Sequence, residues 1–445
     1  MPSIMMEGMP TVRFANWAGN VNFSAARFHC PASLEELRAL VADSEQVRAL
    51  GTGHSFSRIA DTPGDLISVS GLPKIMDVNA RRSTVTVAAG VRYAELAGYL
   101  HLAGYALANL GSLPHISIAG ACATATHGSG DANGNLATAV AGMEMVNAQG
   151  DVVAMSKDAD GDSFRGAVVS LGALGVVTTV TLEIVPTFDI RQYVYEDLPR
   201  GQLDEHFAEI FASAYSVSMF TDWQGSRISQ VWLKRRADDS DPPPPPPRWL
   251  GARLALGPRH PAPGISAAAC TAQLGVAGPW HERLPHFRPD CTPSAGTELQ
   301  SEYLIARRHA ASALAAIARI GHLVAPVLQI SELRTVASDD LWLSPSYRRD
   351  SLAVHFTWVD DVRAVAPVLA AIEDQLAPFQ ARPHWGKLFG TSPEVVSRLY
   401  ERMPDFRQLL GLHDPAGKFR NEFVDNYFPL VRPGGTVATD GSRPR

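Results

Sequence analysis

The chain has 445 residues, which is too long for one ordinary globular core and corresponds to about three structural units at roughly 150 residues each. A formal charge of -6, from 39 Lys and Arg against 45 Asp and Glu, argues against a nucleic-acid-binding surface. Hydrophobic residues make up 46% and charged residues 19%, so neither disorder nor a coiled coil describes the chain as a whole.

The cysteines and the apolar runs bear on where the chain resides. Cys30, Cys122, Cys270 and Cys291 are scattered without a Cys-x-x-Cys pair, which predicts reduced thiols, no disulfide framework and no metal site. Residues 1–10 lack a signal-peptide pattern, and no run approaches the ~18 apolar residues of a membrane span. We therefore expect a cytoplasmic monomer that binds neither nucleic acid nor membrane.

The first 190 residues mix helix and strand patterns. Ser33-Leu34-Glu35-Glu36 is a capping box, and the alternation Thr84-Val85-Thr86-Val87 has the period of two of a strand. Ala148-Gln149-Gly150-Asp151 predicts a hairpin turn. Helices are predicted from residue 34 and at 93–102, and strands at 47–50, 84–89, 143–147, 152–155 and 176–185.

The middle and the end of the chain have a different composition. Pro242 to Pro247 are six consecutive prolines, which favour polyproline II because they cannot donate backbone hydrogen bonds. We interpret residues 238–264 as a surface loop, with an SH3-type ligand as the alternative. Helices and strands alternate again from Leu299, and the Gly-rich residues 431–445 predict a disordered tail.

Two glycine-rich segments are the main functional signal, since the common fingerprints of Rossmann, P-loop, zincin and α/β-hydrolase sites are missing. Gly51-Thr52-Gly53-His54-Ser55 can point backbone N–H groups at an anion. Between Ser117 and Gly130 every side chain except Ile118 and His127 is small or short, so the backbone can approach a large planar or phosphorylated ligand. Each segment alone fits a tight turn against a sheet equally well.

Together the two segments resemble the flavin-binding half of the vanillyl-alcohol-oxidase-type flavoproteins, through the Gly-His-Ser loop and the later words Ser112-Leu113-Pro114 and Thr126-His127-Gly128. Phe220-Thr221-Asp222-Trp223 and Pro279-Trp280-His281-Glu282 are similar to the substrate domain of bacterial alditol (xylitol) oxidases. The resemblance implies an α+β, two-domain flavoprotein. Its FAD-binding domain of PCMH type would span 1–188, its substrate or cap domain 189–408, and a C-terminal return to the first domain 409–430.

The resemblance also implies one FAD per chain, attached covalently to His54 through the flavin 8α-methyl group. An imidazole held by a glycine-walled loop can attack that electrophilic methyl group, and the alternative is a histidine that lies near the flavin without a bond to it. The other implied cofactor-binding residues are Ala49, Leu50, Gly51, Thr52, Gly53, Ser55, Ser112, Ser117, Gly120, Ala121, Cys122, Ala123, Thr124, Thr126, His127, Gly128 and Val177.

A substrate site is predicted around Glu332-Leu333-Arg334, because alternation on a strand puts Glu332 and Arg334 on one face. A carboxylate beside a guanidinium suits a ligand made of hydroxyl groups, although spacing alone would favour an exposed charge pair. The resemblance implies that five residues hold a polyol, with His355 nearby. These residues are Ser112, Glu332, Arg334, Thr357 and Lys387.

The implied reaction oxidises the terminal primary alcohol of an alditol such as xylitol or sorbitol to the aldose, with hydride transfer to flavin N5 and reduction of dioxygen to hydrogen peroxide. Lys387 and Arg334 would stabilise developing oxyanion character, and Lys387 and His355 compete as the acceptor of the hydroxyl proton. An aldonolactone oxidase or dehydrogenase is the alternative enzyme, because those proteins share the Gly-His-Ser loop. A non-catalytic flavin- or sugar-binding protein is the alternative from another class.

Gly111 departs from the resembled family, in which alanine is common before the serine. We predict that Gly111 lies against the flavin and that its missing side chain leaves a path for dioxygen. The alternative is a glycine chosen for backbone freedom alone.

Overall fold

The computed structural model describes residues 14–237, 245–291 and 297–429. The N-terminal half contains a three-stranded parallel sheet in the order β1-β3-β2 and a five-stranded antiparallel sheet in the order β4-β5-β9-β7-β8. Its elements are β1 (Arg27–His29), α1 (Leu34–Asp43), β2 (Val47–Leu50), β3 (Asp65–Ser68), β4 (Met76–Asn79), β5 (Thr84–Ala88), α2 (Tyr93–Leu102), β6 (Tyr105–Ala106), α3 (Ile118–Ala123), β7 (Val140–Val146), β8 (Val152–Ser156), α4 (Lys157–Val168), β9 (Val176–Glu183) and β10 (Val185–Pro186).

The predicted elements of this half are confirmed. Ser33 caps α1 by accepting a hydrogen bond from the Glu36 N–H, and the helix predicted at 93–102 is α2. The hairpin predicted around residues 148–151 joins β7 to β8. The small-residue segment differs from the tight turns that fit it by sequence, because residues 118–123 form the short helix α3.

The second half is an antiparallel sheet of ten strands, with the order β14-β15-β11-β13-β12-β18-β19-β17-β20 and β16 paired to β11. Helices α5, α6 and α8 cover one face. The elements are β11 (Asp189–Pro199), α5 (Arg200–Ala212), β12 (Ser216–Thr221), β13 (Arg227–Arg236), β14 (Arg248–Trp249), β15 (Ala252–Leu254), β16 (Gly278–Pro279), β17 (Glu298–Ala306), α6 (Ala310–Arg319), α7 (Gly321–Val324), β18 (Leu328–Val336), β19 (Ser351–Val359), α8 (Val362–Leu376) and β20 (Arg382–Pro383).

Strand alternation gives this sheet two different faces. Leu333, Val354 and Phe356 pack with the covering helices in one apolar cluster. Their neighbours Glu332 and His355 point to the other face, which lines a cavity against the N-terminal half. The sheet therefore separates an apolar core from a polar site by the thickness of one strand.

The C-terminal helices α9 (Pro393–Leu399), α10 (Met403–His413) and α11 (Glu422–Tyr427) return to the N-terminal half. Val396, Phe406 and Val424 share the apolar cluster of Val85 and Leu96. The boundary predicted at 408/409 falls inside α10, and packing on the first half already begins in α9.

Arg48 ties the return segment to the first half. Its guanidinium is fully buried, and it donates to the carbonyls of Ile59, Leu171 (2.6 Å) and Phe419 (2.7 Å). Burial lowers the pKa of Arg48 to about 10, so the group stays charged. A second long-range bond joins the Val47 N–H to the Lys418 carbonyl at 2.8 Å.

The surface loop predicted at 238–264 needs a correction. Residues 238–244 lie outside the described residues, but residues 248–254 form the edge strands β14 and β15, and β15 pairs with β11. The Tyr195 hydroxyl donates to the Pro246 carbonyl at 2.6 Å, and residues 260–262 reach the main cavity. Prolines are compatible with the edge of a sheet, so the proline run at 242–247 does not exclude strands directly after it.

Two further predictions can be placed against the structure. The predicted tail 431–445 lies outside the described residues. Across the described ranges, no single helix is long and apolar enough to span a membrane, although the bent pair Arg307–Arg319 and Gly321–Val327, at 60°, meets length and composition jointly.

Candidate active site

A cavity of about 360 Å³ runs between the N-terminal half and the polar face of the ten-stranded sheet. Its walls come from the loop after β2, from the segment around α3, and from β17, β18 and β19. This volume lies within the usual range for small-molecule sites, and the position between two layers is a common one.

The loop at residues 51–55 has the geometry of an anion cradle. Gly53 has a φ of +69°, which favours glycine, and a Cβ added to Gly51 would collide with Ser117 Oγ unless that side chain moved. Within the described residues, the N–H groups of this loop make no hydrogen bond to protein. Successive free N–H groups on a glycine loop form a nest for an anion such as a pyrophosphate.

His54 lies at the wall of the cavity. Its Nδ1 is 3.0 Å from Thr52 Oγ1, and its ring stacks on Trp17 with centroids 5.2 Å apart. Burial, assisted by His115 and Arg92, lowers the pKa of His54 to about 4. The imidazole is therefore neutral at pH 7 and keeps a nucleophilic lone pair.

Most of the residues predicted to bind the cofactor line this cavity, which fits a long cofactor with a phosphate group and a planar ring. Two do not. Cys122 lies on the inner side of α3, where its thiol packs 3.5 Å from the Tyr93 hydroxyl in the core. Gly128 packs against the backbone of Leu110 instead. The cavity-lining set is Ala49, Leu50, Gly51, Thr52, Gly53, His54, Ser55, Ser112, Ser117, Gly120, Ala121, Ala123, Thr124, Thr126, His127 and Val177.

The residues predicted to bind substrate also meet in this cavity. Arg334 Nη1 donates to Ser112 Oγ at 3.2 Å, across two regions far apart in sequence. Lys387, from the turn after β20, has its Nζ 2.8 Å from His355 Nδ1, and His355 Nε2 lies 3.1 Å from Thr357 Oγ1.

Glu302 on β17 is the site residue that sequence reasoning missed. It is 1% exposed, and it accepts hydrogen bonds from Arg334 Nη2 at 2.7 Å and Lys387 Nζ at 2.5 Å. His127 Nε2 lies 3.2 Å away. Burial alone would raise the pKa of Glu302, but Lys387 and Arg334 hold it well below its usual range. The sequence signal was the alternation of Glu298, Gln300 and Glu302, which puts three polar side chains on one face of the strand.

A second buried series of hydrogen bonds connects Lys234 through His286 to Glu332. Lys234 Nζ donates to the carbonyls of Leu284 and Pro285 and to His286 Nδ1. The ammonium group of Lys234 thus uses all three of its N–H bonds. His286 Nε2 then lies 2.7 Å from Glu332 Oε1. Burial lowers the pKa of Lys234 to about 7 and that of His286 to about 4. Neutral His286 therefore accepts at Nδ1 and donates at Nε2 to the carboxylate.

Lys387 and His355 form a similar pair. Burial, assisted by Lys387, lowers the pKa of His355 to about 3. Neutral His355 accepts from Lys387 at Nδ1 and donates to Thr357 at Nε2. Burial also lowers the pKa of Lys387, while Glu302 opposes the shift.

Among the side chains that line the cavity the charges of the carboxylates and the cations balance, and donors remain for a ligand. Burial raises and Arg334 lowers the pKa of Glu332, and the result lies well below the usual range. Two carboxylates, Glu302 and Glu332, thus face two cations, Arg334 and Lys387. Arg334 Nε is buried without a hydrogen-bond partner among the described residues, and Lys387 has one N–H bond unused. Such a site can bind several hydroxyl groups and stabilise an alkoxide.

Comparisons with known proteins agree with this geometry. Residues 25–156 match the model of the FAD binding domain, and residues 297–427 match that of D-arabinono-1,4-lactone oxidase. An alditol oxidase of Streptomyces is 51% identical over 413 residues, which cover 92% of this chain and 97% of that protein. An L-gulono-1,4-lactone dehydrogenase of Mycobacterium tuberculosis is 30% identical, with 92% and 98% covered.

Solved structures show the same fold. Cholesterol oxidase from B. sterolicum superposes with a TM-score of 0.72 at 14% identity, over 96% of this chain and 100% of that one. A two-domain, α+β flavoprotein architecture is thereby confirmed for this chain, and FAD is its cofactor. The chain belongs to the alditol oxidase family of vanillyl-alcohol-oxidase-type flavoproteins.

Proposed function

We propose that this protein is an FAD-dependent alditol oxidase that converts the terminal primary alcohol of a polyol such as xylitol or sorbitol to the aldose. The observation that carries the proposal is the charge-balanced cluster of Glu302, Glu332, Arg334 and Lys387 at one end of the cofactor cavity. Bound FAD supplies the acceptor for the hydride of the carbinol carbon and passes its electrons to dioxygen, which yields hydrogen peroxide.

The side chains at the substrate have different roles in binding and in stabilising charge. Glu332 accepts hydrogen bonds from substrate hydroxyl groups, together with Ser112 and Thr357. Arg334 and Lys387 donate to the reacting oxygen and stabilise its developing negative charge. His355 has both ring nitrogens engaged on Lys387 and Thr357. Burial lowers the pKa of Lys387 and so favours its neutral amine, which can accept the proton of the reacting hydroxyl and then, as the ammonium, donate to the developing oxyanion.

The function is tested by mixing the purified holoenzyme anaerobically with xylitol, with sorbitol and with L-gulono-1,4-lactone. We expect the alditols to bleach the flavin absorbance band and the lactone to leave it unchanged. Lys387→Met, loaded with the same flavin, is the matched control for non-specific reduction. Bleaching by the lactone alone would favour a lactone oxidase or dehydrogenase, and no bleaching by any of the three would favour a binding protein.

We further propose that FAD is covalently attached to His54, one per chain. The neutral imidazole at the cavity wall and the anion cradle beside it support the attachment. After acid denaturation and centrifugation, the yellow colour should stay with the protein pellet, and in His54→Ala it should move to the supernatant. Colour in the supernatant of the wild type would contradict a covalent bond.

The organisation of the chain follows from the same contacts. We propose an FAD-binding domain at 1–188, a substrate domain from 189, and a return segment that begins at α9 instead of at 409. We also propose that the protein is a monomer, which is compatible with a cavity that holds the predicted cofactor-binding and substrate-binding residues of one chain together.

A further inference from the structure

A second cavity, of about 320 Å³, lies on the opposite face of the ten-stranded sheet, beneath α5 and α6. Its apolar wall includes Leu203, Ile228, Leu314 and Leu333, each at most 5% exposed. Among the described residues it shares no lining residue with the active-site cavity. It is therefore a separate compartment, and neither the reaction nor the cofactor uses it.

Two hydrogen-bond donors in this apolar compartment have no acceptor. Trp223 is 4% exposed, and its indole Nε1 is buried without a partner in the described part of the chain. Arg200, the first residue of α5, has a buried Nη2 that likewise lacks a partner there. The guanidinium carbon of Arg200 lies 5.6 Å from the centre of the Trp223 ring, and both side chains line the same cavity. A buried donor without an acceptor is rare because it costs free energy, and more so when it is charged.

The indole is held in place by its surroundings. Trp223 has a φ of +61°, which a bulky side chain rarely adopts. The backbone N–H of Trp223 donates to Thr221 Oγ1 at 3.1 Å, and the indole ring stacks on Phe356 with centroids 6.0 Å apart. A Cβ on Gly321 would collide with the Trp223 carbonyl, so α7 begins with a glycine at this contact. Backbone strain of this kind persists only where the surrounding structure maintains it.

We propose that the second cavity binds a small amphipathic monocarboxylate. The carboxylate would accept hydrogen bonds from Arg200 and from Trp223 Nε1, and the apolar chain would lie along the leucine wall. Arg200 and Arg319 line the cavity against the single carboxylate of Asp204, so the balance favours one negative charge. A guanidinium prefers a carboxylate because two parallel hydrogen bonds can form.

The position of Leu333 allows a ligand in the second cavity to affect the active site through the strand β18. Leu333 borders the second cavity, while its neighbours Glu332 and Arg334 border the first. A ligand that packs on Leu333 therefore contacts the strand that positions two substrate-binding residues. Occupancy should change the KM for the alditol without competing with it.

Octanoate is a suitable probe, titrated into the holoenzyme by isothermal calorimetry with and without saturating xylitol. We expect one octanoate per chain, with binding that persists in xylitol. Arg200→Gln should weaken it about tenfold or more, and Arg227→Gln, an exposed arginine of β13 bound to the Asp197 carbonyl, should leave it unchanged. Ala315→Phe should abolish binding, because Ala315 is an exposed position of α6 at the cavity and its replacement fills the space without disturbing the core.

Several outcomes would overturn the proposal. Absence of binding at millimolar octanoate would do so, as would equal affinity in wild type, Arg200→Gln and Ala315→Phe. Displacement of octanoate by xylitol would place it in the active site instead. Uncharged octanamide separates the two contributions, since it should bind more weakly than octanoate and be insensitive to Arg200→Gln. These measurements record binding alone, so their result is independent of whether the enzyme oxidises alditols.

Discussion

The two walls of the active-site cavity are built on different principles. The cofactor wall is made of backbone and small side chains from two continuous segments, at residues 49–55 and 111–127. The substrate wall is made of buried charged groups from β17, β18 and the turn after β20. On the first wall, space decides which substitutions are tolerated. On the second, the balance of charge decides.

The sharpest test of the substrate wall is Glu302→Gln. The change leaves Lys387 and Arg334 buried without their shared carboxylate, and breaking a buried ion pair costs about 3–5 kcal/mol. We expect the midpoint of urea unfolding, followed by circular dichroism, to fall accordingly. Glu183→Gln, which removes a surface pair with Lys157, should cost less than about 1 kcal/mol. Equal losses in the two variants would show that charge balance does not govern this wall.

The same substitution has a defined pH signature. The pKa of Glu302 is lower in the folded protein than in the unfolded chain. Its stabilising contribution is therefore fully present above the unfolded pKa of about 4.3 and is lost as the pH falls through the folded pKa. Between neutral pH and acid, the wild type should lose more stability than Glu302→Gln, because the variant no longer has this group.

Lys387→Met tests chemistry on the same wall. Loss of one charged donor at a developing oxyanion is worth ~3 kcal/mol, on the order of a hundredfold in rate. Anaerobic reduction of the flavin by xylitol should slow by that factor, with a much smaller change in the xylitol concentration needed for half-saturation. Reduction at the wild-type rate would remove Lys387 from the mechanism.

The contrast between the walls also explains what the sequence could predict. His54 and the glycines beside it are adjacent in the chain, so one short sequence motif identified the loop and its resemblance to known flavoproteins. Glu302 contacts Lys387, 85 positions later, and His286 contacts Glu332, 46 positions later. No local period marks such pairs, because they arise from the order of strands in the sheet. The alternation of apolar and polar residues predicted the central strands, but it did not predict the edge strands β14 and β15 after the prolines.

The cofactor wall is tested by Gly51→Ala. The new methyl group collides with Ser117 Oγ, and the double variant with Ser117→Ala removes that collision. If the glycine serves close approach of the cofactor, the double variant should regain thermal stability but still contain less flavin per chain than Ser117→Ala alone. Flavin content is read from the ratio of visible to ultraviolet absorbance. Full recovery of flavin in the double variant would mean that the glycine serves protein packing only.

The smallest effect is expected at Gly111. Its φ lies outside the left-handed region, and an added Cβ would lie 3.8 Å from the His127 carbonyl oxygen, an ordinary contact. Backbone freedom is therefore no reason for this glycine. Gly111→Val should slow reoxidation of the reduced flavin by dioxygen severalfold and leave anaerobic reduction by xylitol largely intact. Stopped-flow measurement of both half-reactions decides this, and equal slowing of the two would contradict a dioxygen path.

Arg48 has a consequence for synthesis of the chain. Its guanidinium needs the carbonyl of Phe419, 371 positions later, and the neighbouring Val47 N–H needs that of Lys418. A nascent chain carries the anion-binding loop from early on, yet the strand before that loop cannot complete its hydrogen bonds until residues 418 and 419 have left the ribosome. Contacts of such sequence separation form slowly. The strand before the loop is thus completed late, and we expect flavin to be captured only once residues 418 and 419 are in place.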